Sequence, residues 1–286
     1  MLTLASDFGS PYPAAMKGVI LSRTDARLID ITHGLPRQDV RSAAFWLRET
    51  IPYFPPAIHL AVVDPGVGTD RRAIALRIGE HALVGPDNGL CRPVARALAA
   101  STAAPTATAD TAAPTATADT AATDVAIEAF EITVADPAST TFHGRDVFAP
   151  AAADIHAAGV DRIESVGPAA PITGIEPIAL GSCVDLRFPE PTTEDGVIHG
   201  EVLAVDDFGN VITNVPAEWL GEHRPATVVC NTERVPLVET FAAVAAGQRL
   251  VTVGSHGFLE CAVNRGRGDD VFGLGTGDAV RFERPQ

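Results

Sequence analysis

The chain has 286 residues, 46% of them hydrophobic, enough for one large domain or two modest ones with a sizeable core. Its net charge of −15 and pI near 4.8 repel phosphate backbones, which sets the protein against nucleic-acid binding. No apolar run approaches the roughly 18 residues that span a bilayer, and no basic segment followed by an apolar stretch opens the chain, so a soluble, cytoplasmic protein is expected.

In chain order, "LTLAS" reads as a strand and "AAMKGVILSRT", after Pro13, as a helix. "RLIDITH" is a strand. "DVRSAAFWLRETI" is a helix with Asp39 as N-cap and Ala43, Trp46 and Leu47 on one face. "AIHLAVVD" is a buried strand that runs into the loop "PGVG", and "AIALRI" and "HALVG" are two more strands. The alternation predicts an α/β N-terminal domain, a layered sheet with helices, over residues 1–170. Within it, residues 101–124 form a low-complexity loop in which Thr102–Asp110 recurs identically as Thr111–Asp119. That segment has no large apolar side chain with which to build a core element. "GRDVFAPAAADIHAAG" resumes helical character. The Pro/Gly-rich stretch near 171–180 reads as a linker. Beyond it, "SCVDLRF", "GVIHGEVLAVDD", "ATVVC" and "QRLVTVG" are strand-like. They predict a smaller, β-barrel-like C-terminal domain over 181–286.

Lys17 is the only lysine, and Cys91, Cys183, Cys230 and Cys261 stand far apart without a C-x-x-C pair. The cysteines are expected as small buried apolar groups. An acidic, lysine-poor surface suits high salt, where counterions screen self-repulsion. Salt adaptation and a merely acidic composition are both open.

Polar residues collect where strands end. Asp7 follows the first strand, Asp30 and His33 another, and Asp64 the strand "AIHLAVVD". In open α/β sheets ligands sit outside the carboxyl ends of strands. Asp64 leads into Pro65, Gly66 and Gly68, with Arg71 and Arg72 close behind. "TFHGRDVF" supplies His143. Asp, Arg and His together can activate a water, and metal ligation by Asp64, His143 and His33 is the competing reading, which no H-x-x-x-H spacing supports. Each Asp taken singly also reads as a turn former. In "VDDFGNVITN", Phe208 suits stacking on a flat base and Asn210 an adenine edge, although a hairpin turn explains the same residues. "GSHGFLECAVN" puts Ser255 and His256 on a Gly-flanked loop. The opening Asp-Phe-Gly is not a kinase's magnesium clamp, because only six residues precede Asp7 and no Gly-rich phosphate loop exists.

The blocks "SDFG…MKG", "DITH", "HLAVVDPGVG…RR", "GPDNG", "TFHGRDVFAPAA", "DDFGNVITN" and "GSHGFLECAVN" occur in that order along nearly the whole chain. Together they resemble the S-adenosyl-L-methionine (SAM) hydroxide adenosyltransferases, or SAM hydrolases, relatives of the SAM-dependent fluorinase and chlorinase. The resemblance implies hydrolysis of SAM to adenosine and L-methionine by attack of water or hydroxide on the ribose 5′ carbon, with no cofactor and no metal. It implies Asp64, Arg71 and His143 as the water-handling set and Asp7 as the ribose-binding carboxylate. It implies Asp206 at the methionine ammonium, Asn210 at adenine, Ser255 at the methionine carboxylate, and Val263 as a backbone contact to adenine. It also implies a homotrimer with active sites shared between subunits.

Halide users resemble this chain but carry Tyr where Asp64 stands, and the fluorinase carries Tyr and Ser where His143 and Gly144 stand. The chain departs from the pattern it resembles in two places: no second acidic residue follows shortly after Asp-Phe-Gly, and His256 stands where the halide branch has Arg. Both fall at the methionine end. The alternatives to hydrolysis are a non-catalytic SAM or adenosine-binding protein, a SAM-dependent halogenase, and a metal-dependent hydrolase.

Overall fold

The structure, a computed structural model, describes residues 1–103, 125–135, 139–222 and 224–284. The repeat predicted as a surface loop therefore lies almost entirely outside the described residues. Among those residues, two compact units meet in sequence between Arg187 and Phe188.

The first unit is a seven-stranded mixed sheet with helices. Its strands are β1 (Leu2–Ser6), β2 (Leu28–Thr32), β3 (Ile58–Val62), β4 (Ala73–Ile78), β5 (His81–Pro86), β6 (Ile127–Val134) and β7 (Ile172–Ile178). The sheet order is β2-β1-β3-β5-β4-β6-β7; the first four strands run parallel, and β4, β6 and β7 pair antiparallel. Helix α1 (Tyr12–Leu21) carries Pro13 in its first turn, where the missing N–H costs nothing. Helix α2 (Val40–Thr50) is capped by Asp39, whose side chain accepts from the Ser42 N–H at 3.0 Å and from the Ser42 hydroxyl at 2.6 Å. Ala43 and Leu47 are buried, as the helical spacing predicts. Helix α3 is Cys91–Ala103, and α4 (Ala149–Ala158) follows a single π-helical turn, Gly144–Phe148. Every residue of β1 and β3 is buried, which accounts for their unbroken apolar runs. Leu2, Leu4, Ile58, Leu60 and Val62 share one core with Met16, Ile20, Phe148 and Ile155 from the helices.

The chain passes from β1 through α1 to β2 on one side, and through α2 to β3 on the other. The carboxyl ends of β1 and β3 are therefore a topological switch point, where such sheets bind ligands.

Two stretches differ from expectation. Residues 171–180, read as a linker from their Pro and Gly content, supply β7, paired with β6 from Ala129↔Ile178 to Val134↔Ile172. β7 is an edge strand, which tolerates Pro177 because one side makes no ladder. "SCVDLRF" is not a strand, and all of it but Phe188 belongs to the first unit. Asp185 is held by Arg92 at 3.1 Å and Arg96 at 2.6 Å, and the Asp87 carboxylate accepts from the Val184 N–H at 2.8 Å.

The second unit is an eight-stranded antiparallel sheet. Its strands are β8 (Thr192–Glu194), β9 (Val197–Val205), β10 (Val211–Pro216), β11 (Thr227–Cys230), β12 (Glu233–Pro236), β13 (Arg249–Val253), β14 (Phe258–Val263) and β15 (Ala279–Glu283), with a short helix α5 (Gly268–Phe272) before β15. The order is β12-β11-β15-β9-β10-β14-β13, with β8 on β9. A parallel bridge from Leu237 to Val251, with Val238 N–H donating to the Val251 carbonyl at 3.0 Å, brings the two edges together into a nearly closed barrel. Val202, Val211, Val228, Val251, Cys261 and Phe282 fill the interior. Among the described residues, no helix is long and apolar enough to cross a membrane.

Candidate active site

β1 ends at Ser6 and β3 at Val62, directly paired, so Asp7 and Asp64 leave the sheet at neighbouring carboxyl ends. Asp64 opens the loop that returns through Gly66 and Gly68 to Arg71. Gly68 has φ +81°, a left-handed conformation that favours glycine.

The fork of Arg71 grips Asp64. Nε donates to Oδ1 at 3.1 Å and Nη2 to Oδ2. Nη2 also donates to His143 Nδ1 at 3.0 Å, and Nη1 to the Arg72 carbonyl at 3.0 Å. Four of the five guanidinium N–H groups are thus committed, leaving one on Nη1. The guanidinium lies over the Phe148 ring at 5.1 Å from its centre. The side chains of Asp64 and Arg71 are 5% and 8% exposed, so this pair is taken largely out of water. A pair so buried is costly to break from one side.

His143 immediately precedes the π-helical turn. Burial and the adjacent Arg71 hold its pKa below the usual histidine value, with Asp64 and Asp146 opposing. The ring is thus held neutral. Because Arg71 can only donate, Nδ1 must be the bare nitrogen, and the ring's proton sits on Nε2.

Gly144 is a packing position. A Cβ there would meet Phe8 Cε2 at 2.9 Å and Phe142 Cε2 at 3.2 Å. Phe8, Tyr12 and Phe142 pack edge to face, with ring centres 5.4–6.5 Å apart. The aromatic of the opening Asp-Phe-Gly therefore seats on the turn that carries His143. Asp7 accepts from the Gln38 N–H on Oδ2 at 2.8 Å, and Oδ1 receives no bond from the described residues.

In the second unit the predicted residues sit on turns, except Val263, which ends β14. Asp206 Oδ1 accepts from the Asn210 N–H at 2.8 Å, and Oδ2 from the Asn210 side-chain amide at 2.9 Å. Both oxygens thus serve the turn, as the hairpin reading expected, while retaining further lone pairs. Phe208 projects from it, 79% exposed. Gly209 has φ +85°, and a Cβ there would meet Asp269 Oδ1 at 2.6 Å and Arg267 at 2.8 Å, so the turn is pressed onto the start of α5. Ser255 is exposed in the tight turn Gly254–Gly257, and His256 Nδ1 faces Glu260 Oε1 at 3.5 Å. Val263 has a buried side chain, and its carbonyl accepts from the Gly266 N–H at 3.2 Å.

The first unit thus brings Asp64, Arg71 and His143 into one bonded set. His33 is not part of it: its ring bonds Ser6 and Asp30 instead. Among the described residues, no group of three or more His, Cys, Asp or Glu is arranged to hold a metal ion. Phe148 and Gln38 were missed in the sequence. A buried apolar residue such as Phe148 has the same local pattern as any core position, and Gln38 contributes only its backbone.

The family model of the SAM hydroxide adenosyltransferase N-terminal domain matches residues 2–167, and that of the C-terminal domain residues 200–281. The chain is 40% identical to the (R)-S-adenosyl-L-methionine hydrolase of Salinispora tropica, over 98% of this chain and 96% of that one. It is also 40% identical to the enzyme of the same name from Thermus thermophilus, over 97% of each. Its fold matches the crystal structure of a conserved hypothetical protein from Thermus thermophilus with TM-score 0.70 at 36% identity, over 98% of each chain. An uncharacterised conserved protein from Thermotoga maritima matches with TM-score 0.74 at 29% identity, over 99% of this chain and all of that one. With both halves matched in order and relatives aligned from end to end, the chain belongs to the SAM hydroxide adenosyltransferase family.

Proposed function

We propose that this protein hydrolyses S-adenosyl-L-methionine to adenosine and L-methionine. The observation that carries the reading is the bonded Asp64–Arg71–His143 set, with its ion pair buried, at the sheet's switch point. Relatives bearing the hydrolase name along nearly the whole chain support it.

The chemistry asks little of the leaving group. The sulfonium departs as a neutral thioether, so no acid is needed. Water is the weak partner, with a pKa of about 15.7 in bulk. The site must hold its oxygen about 3–3.5 Å from the 5′ carbon, in line with the departing sulfur. As C–O forms and C–S breaks, water loses one proton, and the substrate's positive charge leaves with that proton.

The bonding pattern divides the labour. His143, neutral with its proton on Nε2, is a donor to the incoming oxygen rather than a base. The remaining N–H of Arg71 is a second donor for hydroxide-like charge. Asp64, whose carboxylate retains lone pairs, is the acceptor for the water's proton. In this reading Asp7 binds the ribose hydroxyls, and Asp206, Phe208, Asn210, Ser255 and Val263 contact adenine and the methionine end. The proposal includes a homotrimer, a cytoplasmic location, and no metal or organic cofactor.

Reaction with SAM in oxygen-18 water, followed by mass spectrometry, tests it. Adenosine carrying one label at the 5′ hydroxyl is expected. Unlabelled adenosine, or none, overturns the hydrolysis; activity abolished by a chelator overturns the metal-free mechanism. Light scattering at three chain masses is expected for the trimer.

A further inference from the structure

We infer that His33, fixed by Asp30 and Lys17, is a positioning residue that sets Asp7 for the adenosyl ribose. The inference rests on the reading of Asp7 as the ribose-binding carboxylate.

A one-way chain of hydrogen bonds runs to the base of Asp7. Lys17 Nζ, the only lysine side chain in the protein, donates to Asp30 Oδ2 at 2.5 Å. His33 Nε2 faces Asp30 Oδ1 at 3.1 Å. A carboxylate can only accept, so Nε2 carries a proton, and in the neutral ring Nδ1 is bare. Nδ1 then takes the hydroxyl proton of Ser6 at 2.8 Å. Ser6 is fully buried and ends β1, one residue before Asp7. With its proton turned to His33, its oxygen points lone pairs at the Phe8 N–H, 3.5 Å away. With a neutral imidazole, each donor in the chain meets an acceptor and the links run in one direction.

Three bonds from backbone N–H groups run alongside, two to carbonyls and one to a side chain. Gly9 N–H donates to the His33 carbonyl at 2.9 Å, and Leu35 N–H to the Ser6 carbonyl at 3.1 Å. Gln38 N–H reaches Asp7 Oδ2 at 2.8 Å with φ +59°, an uncommon conformation for a residue with a side chain. The loop after β2 therefore clasps the loop after β1 on both sides of Asp7. The His33 side chain joins the clasp to a buried atom of β1. This pattern does not resemble a hydrolytic Ser-His-Asp set in function, since the Ser6 hydroxyl is closed to any substrate.

The test is a double-mutant cycle read by adenosine affinity, with melting temperature as control. His33→Ala is expected to weaken adenosine binding about tenfold. In an Asp7→Ala background the same change is expected to do nothing further, because its effect passes through Asp7. His33→Asn, whose side-chain oxygen can replace Nδ1 toward Ser6, is expected to recover most of the affinity. Equal losses with and without Asp7 overturn the inference and leave His33 as general scaffolding; so does undiminished binding by folded His33→Ala. If that variant does not fold, Ser6→Ala takes its place in the cycle, with the same outcomes. If Asp7→Ala alone leaves adenosine affinity unchanged, the ribose reading falls, and the inference falls with it.

Discussion

The two units hold their predicted site residues in opposite ways. In the first, Asp64, Arg71 and His143 satisfy one another, the charged pair is nearly dry, and Phe148 and Gly144 close the packing beneath. In the second, Asp206 and Asn210 satisfy one another within a turn, while Phe208 and Ser255 stand in solvent. The contrast matches two physical demands. Charge that develops in a transition state is stabilised by donors fixed beforehand in a dry site. Recognition of a substrate's flat and polar ends needs groups on accessible turns, supported by a rigid scaffold.

The largest effects should come from the buried set. Arg71→Lys keeps the charge but loses the fork that grips Asp64 and reaches His143. Turnover is expected to fall about 10²–10⁴-fold, with adenosine affinity largely kept, in steady-state kinetics beside calorimetry. Asp64→Ala should do the same. It should also destabilise the fold by about 3–5 kcal/mol, because Arg71 is left charged and buried. Near-normal turnover in either variant would remove the dry site's claim to the chemistry.

Next come the packing and titration of the first unit. Gly144→Ala brings a Cβ to 2.9 Å from Phe8, an overpacking worth about 1–3 kcal/mol in denaturant unfolding. The atoms it meets, Cε2 and Cζ, are absent from leucine, so Phe8→Leu should rescue part of the loss in the double variant. An additive pair would mean that Phe8 does not seat the His143 turn.

Acid should separate the units. His59 Nε2 bonds His81 Nδ1 at 3.0 Å, and His59 Nδ1 bonds Thr3 at 2.8 Å, within the sheet. Burial, with His81 adding to it, pushes the His59 pKa down to about 3, and burial lowers that of His81. The unfolded chain takes up these protons near the ordinary value of about 6.5, while the folded chain refuses them. Stability is therefore full above pH ~6.5 and falls by about 1.4 kcal/mol per pH unit for His59 between there and about 3. Trp46 reports the first unit and Trp219 the second. Fluorescence of the two single-tryptophan variants should show the Trp46 transition at higher pH, and His59→Gln should move it toward that of Trp219.

Much of this division was legible in the sequence. Strand ends with Asp7 and Asp64, the cap at Asp39, and the late run of β-patterned segments all follow from short-range rules. The edge strand β7 was not legible, because composition marks Pro177 and Gly174 as linker-like and only tertiary pairing makes an edge strand of them. Nor were the relations that complete the site. Phe8 against Gly144, and the Gln38 N–H on Asp7, join residues 136 and 31 positions apart, and nothing local in the sequence encodes them.

The smallest effect tests the open side of the contrast. Phe208 is 79% exposed, so Phe208→Ala removes little buried surface, and stability should change by less than about 0.5 kcal/mol. If the ring stacks on adenine, the substrate still loses a contact worth about 1 kcal/mol. KM should then rise several-fold at unchanged kcat, because a stacked base is bound alike in ground and transition states. Phe208→Trp should keep the low KM, since the larger face offers the same contact. A variant that loses kcat instead would place the turn in the chemistry, and the division between a fixed set and an open one would no longer hold.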